Sequence, residues 1–117
     1  MTIGLKRIYE SAEKRDGYRV LVDRLWPRGV SKGDAAIDLW LKEAAPSTAL
    51  RKWFNHESKK WNEFKERYFA ELDDNRPGLQ PLLKAARQGN VTLIYSSRDT
   101  EHNQAVALRE YLEKLAA

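Results

Sequence analysis

Three stretches of the chain have the apolar pattern of β-strands. Residues 3–10 alternate between apolar and polar positions, whereas residues 18–23 and 91–95 are nearly continuous apolar runs, typical of strands buried on both faces of a sheet. Residues 37–41 also alternate, which favours a short strand, although a helical turn fits the same residues. The pattern therefore predicts three strands and leaves a fourth open.

Four helices are predicted from apolar residues that recur at three- and four-residue intervals. Ser47 is the expected N-cap of a helix over residues 48–54, and a longer helix follows from about residue 58 to residue 73. A third helix begins near residue 79 and is expected to close at Gly89 through a left-handed cap. The apolar positions of the last predicted helix are Ala105, Leu108, Leu112 and Leu115.

Helices on both sides of the strand at 91–95 predict an α/β fold with a mostly parallel sheet and about four helices in two or three layers. The length of 117 residues favours a single domain over residues 1–117. No apolar run approaches the ~20 residues of a membrane span, and the first residues lack the apolar stretch of a signal peptide. The sequence therefore predicts a cytoplasmic protein without a membrane partner.

A charged turn follows the second predicted strand. The turn is the heptapeptide Asp-Arg-Leu-Trp-Pro-Arg-Gly at residues 23–29, and it lies at the carboxyl end of the strand, where open α/β sheets bind ligands. If the strands at 18–23 and 91–95 are parallel, the residues after both strands meet at one edge of the sheet. The side chains expected there are Asp23, Arg24, Trp26 and Arg28 from the first strand and Ser96, Ser97, Arg98 and Asp99 from the second.

These residues favour an anionic ligand. Arg24, Arg28 and Arg98 can donate bidentate hydrogen bonds to phosphate or carboxylate, and Ser96 and Ser97 can add hydroxyl donors. The second loop also leads into a helix, whose free N–H groups attract anions. The sequence therefore predicts a pocket for a phosphorylated or nucleotide-like anion.

Acid–base chemistry at this pocket is a further hypothesis. His102 is expected beside Asn103 in the first turn of the last helix, where it can exchange a proton with a bound ligand, with Asp23 or Asp99 as the second proton carrier of a hydrolysis. Asn103 is expected to contact the ligand. The alternative is that Asp99 or Thr100 caps the helix and His102 is a surface residue. Whether turnover occurs is left open by the sequence.

Metal and thiol chemistry are not predicted. The chain has no cysteine, which excludes disulfides and thiol nucleophiles. Its two histidines, His56 and His102, lack the paired spacing of metal ligands, and His56 is expected to be structural or solvated. The sequence predicts no metal and no other cofactor.

The net charge of +4 lies in the first third of the chain, because residues 1–32 contain eight cations and four anions while the charges of the remaining residues cancel. This excess fits an anionic small molecule, a nucleic acid that stacks on Trp26, or an acidic protein partner. It also fits an ordinary solvated basic surface. Trp26 can equally cover the edge of the core.

A set of motifs spread over nearly the whole chain consists of residues 23–29, 39–43, 45–47, 51–54 and 101–103, with Trp61, Phe64 and Tyr68. Together these motifs resemble the domain of unknown function 488 (DUF488) family, in its short YeaO-like branch. The resemblance implies a fold more than an activity, since the function of that family is not established. Longer relatives often have a cysteine before the histidine, where this chain has Ser96 and Ser97, so thiol chemistry is not carried over.

Overall fold

A computed structural model describes residues 2–116 and shows a four-stranded sheet in which all neighbouring strands are parallel. The order across the sheet is β1–β4–β2–β3. The predicted α/β class and the parallel pairing of the two apolar strands are confirmed, and residues 37–41 supply the short strand rather than a helical turn. The strands are β1 (Ile3–Arg7), β2 (Tyr18–Leu21), β3 (Leu39–Trp40) and β4 (Val91–Tyr95).

Five α-helices accompany the sheet in the part of the chain that the structure describes. The four predicted helices are confirmed, with Ser47 Oγ accepting the N–H of Leu50 at 3.1 Å as the expected N-cap. None of the helices within residues 2–116 combines the length and the apolar character needed to cross a membrane. The helices are α1 (Lys32–Ala35), α2 (Thr48–Phe54), α3 (Trp61–Asp74), α4 (Gln80–Gln88) and α5 (Gln104–Ala116).

Two predicted helix ends are wrong. Gly89 ends α4 with an extended backbone (φ 171°) rather than a left-handed one, and its N–H donates to the Ala85 carbonyl at 3.2 Å. The last helix begins at Gln104, so His102 precedes its first turn. Asn103 caps this helix instead of Asp99 or Thr100, because Asn103 Oδ1 accepts the N–H of Val106 at 3.0 Å.

Each face of the sheet packs against a different apolar cluster, because successive strand residues point to opposite faces. Val20 and Leu93 point to the face that α2, α3, α4 and α5 cover. Leu21 and Ile94 point to the other face, where they pack against Ala35 of α1 and the partly buried residues Trp26, Val30, Ile37 and Trp40.

The connections after β2 and β4 leave the sheet on opposite faces. The chain after β2 leads to α1 on one face, and the chain after β4 leads to α5 on the other. Since β2 and β4 are neighbours, their carboxyl ends enclose a crevice at the point where open α/β sheets bind their ligands. The fold therefore places a ligand-sized opening after these two strands.

A buried ionic network stabilises the α1 face of the sheet. Arg19 on β2 donates to Asp16 at 2.6 Å, and Lys6 on β1 lies 2.9 Å from the same carboxylate. Thr92 on β4 donates to the backbone carbonyl of Asp16 at 2.7 Å. Burial by itself raises the pKa of Asp16, but hydrogen bonds from the Glu13 N–H, Lys6 and Arg19 outweigh that effect and hold the pKa below its ordinary value. Asp16 thus joins three strands, β1 and β2 through its carboxylate and β4 through its backbone carbonyl.

We expect Asp16→Asn to lower the free energy of unfolding by about 3 kcal/mol, because Arg19 and Lys6 would keep their buried charges without a carboxylate between them. Urea unfolding measures the change. The control is Glu13→Gln, which removes the partly exposed carboxylate that also contacts Lys6, and for which we expect a clearly smaller loss. Equal losses in the two variants would contradict the central role of Asp16.

Candidate functional site

A cavity of about 520 Å³ lies at the carboxyl ends of β2 and β4. Both segments that the sequence predicted to meet contribute to its wall: residues 23–28 after β2, and residues 96–97 and 102–104 after β4. A third segment, residues 45–56, also lines it, together with Phe64 of α3. The structure therefore brings the tryptophan-containing turn and the serine pair to one opening.

Asp23 joins the two strand ends at this cavity. Its carboxylate accepts hydrogen bonds from Ser96 Oγ at 2.5 Å and from Gln104 Nε2 at 2.6 Å, and only 9% of the residue is exposed. Burial raises the pKa of Asp23, while the hydrogen bonds from Ser96 and Gln104 and the charge of Arg51 oppose this shift. Asp23 is therefore a carboxylate whose charge is disfavoured by its surroundings.

Arg7 positions the serine loop. Its guanidinium donates to the carbonyl of Ser97 at 2.8 Å and to the carbonyl of Ser96 at 3.1 Å. Both contacts use backbone oxygens, so the serine hydroxyls are left for other partners. Arg7 sits at the end of β1, and a strand outside the cavity thus holds the loop that lines it.

Asp99 orients His102 without lining the cavity itself. Its carboxylate accepts the backbone N–H groups of Glu101 and His102 at 2.9 and 3.0 Å and lies 3.0 Å from His102 Nδ1. These hydrogen bonds, led by that of Glu101, hold the pKa of Asp99 below its ordinary value. The His102 ring also meets the Trp61 ring edge-on, with centroids 5.4 Å apart. His102 lines the cavity, and its Nε2 is the ring nitrogen that Asp99 does not engage.

The sequence predicts that Asn103 contacts the ligand, but in the structure its side chain is hydrogen-bonded within the loop and to the start of α5. Its Nδ2 donates to the Asp99 carbonyl at 2.8 Å, its Oδ1 caps α5, and the residue is 3% exposed. Ser97 Oγ, which also lines the cavity, accepts the N–H of Asp99 at 3.2 Å. Both side chains therefore shape the loop.

Four cations line the cavity. Arg24 reaches the Pro46 carbonyl at 3.1 Å, which ties the turn after β2 to the loop before α2. Arg28, Arg51 and Lys52 complete the set. Within residues 2–116, no carboxylate oxygen lies within 4.0 Å of the charged nitrogens of these four side chains. The positive charge of these four side chains therefore acts on the cavity. Asp23 contributes a carboxylate to the same wall.

Sequence reasoning missed the contribution of α2 and the connection after it. Arg51 and Lys52 were predicted only as part of the helix over residues 48–54, and His56 was expected to be structural or solvated, yet all three line the cavity. Asn55 and His56 have left-handed backbones, with φ of 46° and 57°. Two such residues in succession are uncommon outside glycine and occur at binding sites, although only the structure reveals them here.

Other predicted cations lie elsewhere. Arg98 is exposed and is not part of the cavity wall. Lys6 and Arg19 belong to the ionic network with Asp16 on the α1 face. Part of the basic excess of the first third is therefore neutralised inside the fold and is not available to a ligand.

Trp26 has two roles that the sequence could not separate. Its indole N–H donates to the Val30 carbonyl at 2.7 Å, and its ring meets Trp40 edge-on with centroids 5.4 Å apart. The ring thus covers one of the apolar clusters while it also lines the cavity. Leu25, beside it in the turn, is 68% exposed.

The part of the chain that the structure describes contains no cluster of metal ligands, because no three His, Asp or Glu side chains there are grouped as a metal ion would require.

Comparisons with known proteins agree on one family. The model of the inactive DUF488-N3 subclade matches residues 2–117. The chain is 46% identical to the uncharacterized protein YeaO of Escherichia coli over 115 residues, which are 98% of this chain and all of that protein. It is 37% identical to the uncharacterized protein Rv3073c of Mycobacterium tuberculosis over 110 residues, which are 94% of this chain and 92% of that protein. No solved structure matches the chain.

The raised pKa of Asp23 predicts a specific pH dependence of stability. A carboxyl group whose pKa is higher in the folded state stabilises the fold when protonated, and this contribution is lost as the pH rises through the folded pKa. We therefore expect the unfolding free energy of the wild type, relative to Asp23→Asn, to increase as the pH falls from about 7 to about 4. Urea unfolding of both proteins at several pH values measures this, and a difference that does not change with pH would contradict it.

Proposed function

Since the chain belongs to the family of the inactive DUF488-N3 subclade, we propose that it binds a phosphorylated small molecule in the cavity after β2 and β4 and does not convert it. The observation that carries the proposal is the group of four cations, Arg24, Arg28, Arg51 and Lys52, around one cavity without carboxylate partners among residues 2–116. Charges left unpaired by the fold at a concave surface favour an anionic ligand.

The residue types support phosphate in particular. Arginine presents planar pairs of N–H donors that match the oxygens of a phosphate, and three of the four cations are arginines. Arg24 is already bound to backbone carbonyls, which fixes its guanidinium and lowers the entropy cost of binding. Arg28 and Arg51 are exposed and can close on a ligand.

Binding without conversion is supported by the contacts of the candidate catalytic groups. Ser96 Oγ donates its hydrogen bond to Asp23, and the Nδ1 atom of His102 lies against the Asp99 carboxylate. Among the described residues of the cavity, no hydrogen bond therefore joins a serine hydroxyl to a histidine, as an activated nucleophile would require. We therefore assign Asp23, Asp99 and His102 to shaping and recognition rather than to proton transfer. The description of the family as inactive agrees with this assignment.

A small molecule fits better than a nucleic acid. A nucleic-acid surface needs a row of free cations that follows the phosphate backbone, whereas Lys6, Arg15 and Arg19 of the basic first third are paired with Glu13 or Asp16. The free cations described above converge on a cavity instead. We place this binding in the cytoplasm, where phosphorylated metabolites are abundant.

We expect Arg28→Ala and Arg51→Ala each to weaken the binding of ribose 5-phosphate about tenfold, because each removes a charged donor worth roughly 1.5 kcal/mol. Isothermal titration calorimetry at low salt measures the affinities. Arg87→Ala is the matched control, since it removes the same charge from an exposed position near the start of β4, at the opposite end of the strand from the cavity.

Two results would overturn the proposal. The first is that neither inorganic phosphate, ribose 5-phosphate nor a nucleoside monophosphate binds the wild type at low salt. The second is that Arg87→Ala weakens binding as much as the two cavity variants. Release of inorganic phosphate from a bound ester by the wild type would refute the part of the proposal that excludes conversion.

A further inference from the structure

We propose that the ligand of this cavity is a free nucleoside monophosphate, whose ring lies on the apolar wall while its phosphate meets the cations. This inference rests on the proposed function and specifies its ligand class. It is carried by two features that a phosphate alone does not need: a preorganised apolar wall and a carboxylate acceptor.

The apolar wall lies in the same turn as two of the cations. Leu25 and Trp26 both line the cavity between Arg24 and Arg28. Leu25 is 68% exposed, which leaves a large apolar side chain in water at the opening. The indole of Trp26 is held by its hydrogen bond to the Val30 carbonyl, so the wall has its shape before a ligand arrives. A flat heteroaromatic ring would bury this surface.

The carboxylate of Asp23 points to a ligand with hydroxyl or amino donors. A carboxylate beside four cations repels a bare phosphate and weakens its binding. An ionised carboxylate has about four acceptor positions, of which the Ser96 hydroxyl, the Ser96 N–H and Gln104 engage three. The remaining position can accept a hydroxyl group of a ribose. The acceptor thus favours a sugar-containing phosphate over the inorganic ion.

The size of the cavity agrees with a ligand of this kind. Its volume of about 520 Å³ lies within the range of about 300–1,000 Å³ that binds drug-sized molecules, well beyond the needs of one phosphate group. Phe54 and Phe64, stacked with ring centroids 4.4 Å apart, supply a further rigid apolar boundary. Together the cations, the acceptor and the apolar wall match the phosphate, the sugar and the base of a nucleotide.

The test compares four probes in calorimetry with the full chain: inorganic phosphate, ribose 5-phosphate, adenosine and adenosine 5′-monophosphate. We expect the monophosphate to bind about tenfold more tightly than ribose 5-phosphate, and ribose 5-phosphate more tightly than phosphate. Leu25→Ala is expected to weaken the binding of the monophosphate about fivefold and to leave ribose 5-phosphate unchanged. Tyr18→Ala, which removes another exposed apolar side chain outside the cavity wall, is the control.

Asp23→Asn adds a readout that separates two of the probes. We expect it to strengthen the binding of inorganic phosphate severalfold, because a negative charge is removed, and to lower the affinity for ribose 5-phosphate relative to that for phosphate, because an acceptor is lost. Thermal unfolding of the variant confirms that it is folded. A merely structural role of Asp23 would change the affinities for both probes by the same factor.

The outcomes separate this inference from the proposed function. If ribose 5-phosphate and the monophosphate bind equally and Leu25→Ala changes neither, the nucleotide assignment is overturned while phosphate binding stands. If no phosphate-containing probe binds, the proposed function itself fails. If a 5′-phosphorylated oligonucleotide binds far more tightly than the monophosphate, with an affinity that falls steeply with salt, the ligand is a nucleic acid and the free nucleotide is refuted.

Discussion

The parallel pairing of β2 with β4 is the constraint on which the rest of the structure depends. It brings residues 18–21 and 91–94, more than seventy positions apart in the sequence, into hydrogen-bonding register in the interior of the sheet. Because both strands run in one direction, their following loops emerge side by side. The hydrogen bonds from Ser96 and Gln104 to Asp23 then join these loops. Without this pairing there would be neither a shared cavity nor a cluster of arginines.

The two faces of the sheet are stabilised by different kinds of interaction. The face under α2 to α5 is apolar and supplies most of the buried side chains. The opposite face is covered by the short helix α1, and there Asp16 neutralises Arg19 and Lys6 so that charged residues can be buried on the strands. This division places the buried, paired cations of the strands on one face and leaves cations without a carboxylate partner at the cavity. The same residue type is thus neutralised inside the fold at one place and left available to a ligand at another, according to whether a carboxylate lies beside it.

The sequence predicts the strands and helices well where one pattern dominates, as in the apolar runs of β2 and β4 and the N-cap at Ser47. It fails where a long-range partner decides. Arg19 reads as a surface cation because its carbonyl and carboxylate partners are visible only in three dimensions. Lys52 and His56 were not predicted as cavity residues, since nothing local shows that this segment folds back over the strand ends. The start of α5 was misplaced because Asp99, Thr100 and Asn103 are all good capping residues, and local propensity does not choose among them.

The edge position of β1 has a consequence for the lifetime of the cavity. Edge strands are held on one side only, and local opening reaches them more easily than the interior strands. Arg7 closes β1, and the same guanidinium supports both serine carbonyls of the cavity wall. Local opening of β1 would break the hydrogen bonds from Arg7 to these carbonyls. The cavity wall would then lose its fixed shape before the rest of the sheet unfolds. The order of the cavity wall and the protection of the outermost strand from solvent exchange are therefore coupled, although β1 lies outside the cavity.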